Sequence, residues 1–168
     1  MSTLTRADIK ARIQEAHDND RPLDLSNQDL SGLDLSHLAL RGANLQWADL
    51  RWANLRDADL RDTALRWTNL WGAYWDGLVI ERLPSGQVYL VPTPDGWHMR
   101  VGCWDGTPSQ LRTLIAQDDD WPEAEGNEIP RRRPYLEAAL TLCEVHMADQ
   151  ADVIDQLREL WGEKAPDA

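Results

Sequence analysis

Leucine stands at every fifth position from Leu25 to Leu70, and Trp75 takes the next place. Neither regular element has that period. A helix returns an apolar residue to one face every ~3.6 residues, and a strand does so every second residue. Two places before each slot the residues are mostly small or apolar: Leu23, Leu33, Ala43, Ala48, Ala53, Ala58, Thr63, Thr68 and Ala73. The residue between is usually Asp or Asn, as at Asp24, Asp29, Asp34, Asn44, Asp49, Asn54, Asp59 and Asn69. A fixed internal period marks a stacked architecture in which each unit buries its apolar face against its neighbours. Asp and Asn suit it because their side chains bond to nearby backbone and tolerate tight turns.

The tandem pattern A(D/N)LXX over residues 23–77 resembles the pentapeptide-repeat family. That resemblance implies a right-handed, four-sided β-solenoid, with one pentapeptide per side and four per coil. It also implies that the central Leu and the small residue two before it point inward, and that the other three point out. The early units are looser: Gln28 and Leu38 replace the small residue, and Ala39 replaces Asp or Asn. The segment is under three coils long. At a coil spacing of about 4.8 Å the rod measures only about 14 Å.

So short a rod needs its ends covered, because each end exposes leucines and unpaired strand edges. Residues 1–22 supply one cover, an N-terminal capping helix. Thr5 is placed as its N-cap, Asp8 closes a capping box, and Leu4 and Ile9 are spaced for a hydrophobic staple. Ile9, Ile13 and Ala16 share a face, and Arg21-Pro22 ends the segment.

Residues 78–168 read as a small α+β domain. LVIERL and QVYLV flank Pro84-Ser85-Gly86, and WHMRVGC follows the turn at Thr93-Pro94-Asp95-Gly96, giving a three-stranded antiparallel meander. Strand alternation places Trp97, Met99, Val101 and Cys103 on one face and His98 and Arg100 on the other. Trp104-Asp105-Gly106 ends the third strand. Thr107, Pro108 and Gln110 start a helix with an apolar stripe at Leu111, Leu114 and Ile115. Residues 118–130 form an acidic loop. A second helix begins near 134, with Leu136, Leu140, Cys143 and Met147 in core spacing. A final helix carries Val153, Leu157 and Leu160, or Ile154 and Trp161 on the adjoining line. This tail resembles the C-terminal domains that follow pentapeptide repeats in uncharacterised phage and prophage proteins.

Charge narrows the partners. The chain carries a net −12, and most of it falls in residues 78–168, where seventeen acids face eight bases. The repeat segment has eight acids against five arginines: Arg41, Arg51, Arg56, Arg61 and Arg66. Some members of the family bind gyrase by imitating DNA with an acidic rod. Arginines on this short rod disfavour that reading. The overall acidity also disfavours double-stranded nucleic acid, which needs a basic footprint. No apolar run approaches membrane length, and the first residues lack a signal-peptide core. Two cysteines make no secreted framework. A cytoplasmic protein without a membrane partner is expected.

Candidate chemistry is sparse. Cys103 and His98 fall on opposite faces of a strand, too far apart for a nucleophile and its base. Cys143 and His146 lie one helical turn apart, but the tight CxxC pairs of structural zinc are absent. Asp118, Asp119, Asp120, Glu123 and Glu125 lack calcium-loop spacing and read as a solvated run offset by Arg131, Arg132 and Arg133. No catalytic residue, metal site or cofactor is assigned. The anomaly is nine tryptophans with no phenylalanine. Trp47 and Trp67 occupy outward slots twenty residues apart, one above the other. Trp52 and Trp71 project from the next side, near Arg51 and Arg66. Exposed aromatics with arginine mark an interface, covered by the C-terminal domain, by a second copy in a homodimer, or by another protein. The reading is a non-catalytic protein–protein interaction factor, in the phage resemblance an inhibitor of a host cytoplasmic protein. The alternatives are a protein that sequesters a small ligand, a DNA-mimicking gyrase binder, and an enzyme with an unrecognised site.

Overall fold

The computed structural model describes residues 4–122 and 124–162. Glu123 of the acidic run lies outside them. The chain forms two compact units. The first holds the residues up to Asp76, with Thr93–Asp95 and the residues from 155 on; the second holds Gly77–Pro92 and Gly96–Ile154. The C-terminal turns of the last helix therefore cluster with the repeats, although the sequence pattern changes only once, near residue 78.

The repeat segment is a β-solenoid. Its parallel bridges each join residues twenty apart, from Asp24–Asn44 to Asn54–Tyr74, so every twenty-residue layer pairs with the next. The backbone ladder crosses between layers: the Leu25 N–H donates to the Asn44 carbonyl at 2.9 Å, and the Asn44 N–H donates to that of Leu23 at 2.8 Å. Leu25, Leu30, Leu35, Leu40, Leu45 and Leu50 are fully buried. The small slots are filled by Ala43, Ala48, Ala53 and Ala58, with Thr63 and Thr68 further along. Each buried threonine hydroxyl donates to a carbonyl, Thr63 to Leu60 at 2.8 Å and Thr68 to Leu45 at 2.7 Å, so neither costs an unpaired polar group. The larger Leu38 is accommodated and buried, and Gln28 is half-buried. Trp75, in the last leucine slot, is also half-buried.

Helix α1, Arg6–Asp18, has the expected capping box between Thr5 and Asp8. It buries Ile9 completely. Arg6 ties it to the first layer by donating to the carbonyls of Asp34 (2.5 Å) and Ser36 (2.8 Å).

In the second unit, β1 (Leu78–Leu83), β2 (Gly86–Thr93), β3 (Gly96–Val101) and β4 (Trp104–Gly106) lie in that order in one sheet. The expected three-stranded meander has a fourth strand. Gly102, at φ +59°, and Cys103 form a tight turn, and Trp104–Gly106 pairs back onto Val101–Met99. The same turn takes Cys103 off the inward face and leaves it exposed, whereas Met99 and Val101 are buried as expected. Helix α2, Pro108–Ile115, carries the predicted Thr107–Gln110 capping box. Helix α3, Glu128–Asp149, starts about a turn and a half before the expected position and runs through Pro130 and Pro134. Pro130 sits in the first turn, where no N–H is needed, and only Pro134 forfeits a helical bond. Arg133 steadies this start by donating to the Gln117 carbonyl and to Asp118. Val88, Leu90, Met99, Leu111, Leu140 and Cys143 are central to the core. The last helix, α4, spans Val153–Trp161, with Val153, Ile154 and Leu157 buried and Leu160 exposed. No described helix is long and apolar enough to cross a membrane.

Two predictions follow from the solenoid. Leu50→Ala should lose about 2–5 kcal/mol in chemical denaturation, because the layers above and below cannot close on the void. A loss under about 1 kcal/mol would show that the leucine ladder does not hold the fold. The second concerns acid. Asp29 and Asp34 accept the N–H and hydroxyl of Ser31 and Ser36, with hydroxyl contacts of 2.6 Å. These bonds hold both carboxyls below the usual carboxylate range. A group depressed in the folded state stabilises it above the unfolded pKa, about 3.9, and that stability is lost as pH falls through the folded value. The double variant Ser31→Ala, Ser36→Ala should therefore move the acid-unfolding midpoint to higher pH; an unchanged midpoint would discount these bonds.

Candidate interaction surface

One position in each pentapeptide carries the solenoid's conformational cost. Asn27, Gly32, His37, Gly42, Trp47, Trp52, Asp57, Asp62, Trp67 and Gly72 follow each leucine by two residues, and all have positive φ. The chain must turn sharply there, and the left-handed region makes the turn. Gly enters that region freely, and Asn, Asp and His are enriched in it. Tryptophan is not. At Trp47, Trp52 and Trp67, φ is 61°, 61° and 62°, a conformation that costs an L-residue about 1–2 kcal/mol.

The indoles at these positions are solvent-exposed, Trp47 by 59%, Trp52 by 52% and Trp67 by 45%. Trp47 and Trp67 stack between layers with ring centroids 5.5 Å apart and planes 21° apart. Trp52 meets Trp71 edge-on at 4.6 Å and 73°. Trp71 is exposed as well, at 66%, but it precedes the turn position, which is Gly72. A Cβ on Gly72 would lie 2.5 Å from the Trp52 ring, so the missing side chain at 72 seats the indole of 52. Tyr74, also exposed, is an aromatic that the repeat pattern did not single out.

The two arginines expected beside the indoles have different roles. Arg51 is committed to Asp49, its Nε 2.8 Å from Oδ1 and its terminal nitrogen 2.6 Å from Oδ2. Arg66 lies over the Trp67 ring, 5.8 Å from the centroid, and forms no ion pair among the described residues. Arg41 and Arg61 are paired with Asp62 and Asp59.

One other turn position, Asp57, serves the chain itself. Trp161, at the end of α4, donates its indole N–H to the Asp57 carbonyl at 2.8 Å. Arg61 donates to the Trp161 carbonyl at 3.2 Å while holding the buried Asp59 carboxylate at 2.6 Å. Arg158 donates to the Pro94 carbonyl at 3.0 Å. The repeat pattern held no signal for the contacts of Trp161 and Arg158, which join residues between 64 and 104 positions apart in sequence.

The polar residues of the second unit do not gather into a centre. His98 and Arg100 share Asp105, each at 2.8 Å. His146 packs edge-on against Trp97 with centroids 5.9 Å apart. Cys143 is buried, and desolvation pushes its thiol up to about 11. Among the described residues no group of three or more His, Cys, Asp or Glu side chains could hold a metal ion.

The family model for pentapeptide repeats matches residues 23–57 and 34–72, with eight copies of the repeat. Across residues 23–72 the chain therefore belongs to the pentapeptide-repeat family. A solved structure, a pentapeptide repeat protein from Nostoc Pcc 7120, is 32% identical over a match covering 44% of this chain and 78% of that one. Its TM-score of 0.13 is too low to bear on the fold. No curated protein matches significantly.

Two glycines separate the cost of the turn from the cost of seating an indole. Gly42 and Gly72 share φ +69°, but a Cβ at 42 meets nothing within 4 Å. Gly42→Ala should cost about 1–2 kcal/mol for the left-handed backbone alone. Gly72→Ala should cost more and should displace the Trp52 ring, read as a change in near-ultraviolet circular dichroism. Equal losses and equal spectra would mean that Trp52 is not seated on Gly72.

Proposed function

We propose that this chain is a non-catalytic protein-binding module whose contact surface is the aromatic face at Trp47, Trp52, Trp67 and Trp71, with Arg66 beside it. The observation that carries this reading is the left-handed backbone at three exposed tryptophans. Glycine or asparagine there would relieve strain, and no buried core gains from the indoles. Strain of this kind persists where the presented side chain is useful. Tryptophan is the residue most suited to anchoring an interface, since it buries a large rigid area at little entropic cost. The same reading takes the solenoid as right-handed and four-sided, as the repeat motif implies, and places the protein in the cytoplasm. The phage resemblance of the tail points to a host protein as target.

The alternatives have less support. Of two cavities of about 310 and 260 Å³, the first is lined mainly by charged side chains, Arg12, Glu15, Arg21 and Asp24, and the second mixes Arg112, Glu137 and Glu144 with Ile115, Ala116 and Leu140. Sequestering sites are mostly apolar. A DNA mimic would present unpaired acids on the rod, whereas Asp49, Asp59 and Asp62 are neutralised by Arg51, Arg61 and Arg41.

The double variant Trp47→Ala, Trp67→Ala tests the proposal. Partners captured from bacterial lysate by the wild-type chain should be lost, with affinity for an isolated partner falling by about 2 kcal/mol or more. Chemical denaturation should show little change, because alanine keeps the same left-handed backbone cost and the exposed rings give up only their mutual stacking, about 0.5–1.5 kcal/mol. A large loss of stability would reassign the pair to the chain's own packing, and unchanged capture would overturn the reading.

A further inference from the structure

Helix α3 buries one stripe, including Ile129, Leu136, Leu140 and Cys143, in the core of the second unit. The opposite stripe is exposed yet apolar. Tyr135, Leu142 and Val145 are 49%, 49% and 61% exposed, and Ala138 is exposed between them. From Arg131 through Tyr135, Ala138, Leu142 and Val145 to Asp149 the steps alternate between four and three residues. At about 100° per residue these six positions fall within roughly 80° of one another. That is the spacing of a helix–helix seam. Three exposed apolar residues alone would be unremarkable; the charges at the two ends decide the occupant. Arg131 closes one end of the seam and Asp149 the other, and among the described residues neither forms an ion pair.

We infer that this face of α3 pairs antiparallel with the same face of a second copy of the chain. The spacing of these six positions is symmetric about residue 140. An antiparallel partner sets Tyr135 against Val145 of the second copy and Ala138 against its Leu142. Arg131 meets Asp149 of the second copy, and two-fold symmetry makes each contact twice. Parallel pairing would instead set Arg131 against Arg131 and Asp149 against Asp149. The seam is about 28 Å long at 1.5 Å per residue, and one helix face covers less than the roughly 800 Å² per partner of a standard interface. The pair is therefore a concentration-dependent equilibrium. This inference is independent of the solenoid reading, but it would give each assembly two aromatic faces and so a gain in avidity toward a repeated target.

Sedimentation velocity on the full chain tests it. The wild type should shift across the micromolar range from its 19.1 kDa protomer toward twice that mass. Leu142→Glu should remain monomeric with an unchanged far-ultraviolet circular dichroism spectrum. Arg131→Glu should weaken association about tenfold, the combined worth of two exposed ion pairs. The charge exchange Arg131→Glu, Asp149→Arg should restore it. A chain that stays monomeric throughout, a dimer indifferent to Leu142→Glu, or a charge exchange that fails to recover the loss would each overturn the antiparallel pair.

Discussion

The hydrogen bonds between residues twenty positions apart are the constraint on which the solenoid rests. Each layer's peptide groups are satisfied by the neighbouring layer, as when the Leu50 N–H donates to the Asn69 carbonyl at 2.9 Å. The leucines then fill the narrow interior, with alanine or threonine beside them because nothing larger fits as a rule. Neither feature is stable alone. Without the ladder the leucines have no fixed spacing, and without the leucines the short strand segments have no reason to stack. The layer that lacks a neighbour needs another source of contacts, and α1 supplies it. Ile9 is buried, and Arg6 reaches the carbonyls of Asp34 and Ser36.

The turn positions follow from the same ladder. To return over itself every twenty residues the chain must change direction at each pentapeptide, and a single left-handed residue does this. Most of these residues are types that accept the conformation. The exceptions are unevenly distributed. Tryptophan occupies it at 47, 52 and 67 with the rings in solvent, whereas at 57 and 62 aspartate holds it. Near these aspartates Trp161 and Arg61 fasten the last turns of α4.

Tryptophan therefore plays two roles in one chain. Trp121 and Trp161 use the indole N–H as a structural donor, to the carbonyls of Gln117 at 3.1 Å and Asp57 at 2.8 Å. The four exposed solenoid indoles meet in two pairs, Trp47 with Trp67 and Trp52 with Trp71. Stacking between layers offsets part of the backbone cost and keeps the rings ordered, so a binding partner would find a preorganised surface rather than four mobile side chains.

The sequence by itself determined the repeat, its inward leucines, the two capping boxes and the existence of an outward tryptophan column. These are local or strictly periodic features, and period and capping chemistry are written in adjacent residues. It did not show that the residue after each Leu-X pair is left-handed, because Asn, Asp and Gly at some of those sites are diluted by Trp and His at others. Nor did it show β4, since Trp104-Asp105-Gly106 is too short to display alternation, or the early start of α3, since proline in a first turn looks like a stop. Only the tertiary structure decided that Cys103 leaves the sheet face, that Trp161 reaches Asp57 and that Trp52 lies over Gly72. Each of those depends on residues brought together by layers and hairpins, and no local pattern encodes where a distant backbone carbonyl or a missing side chain will be.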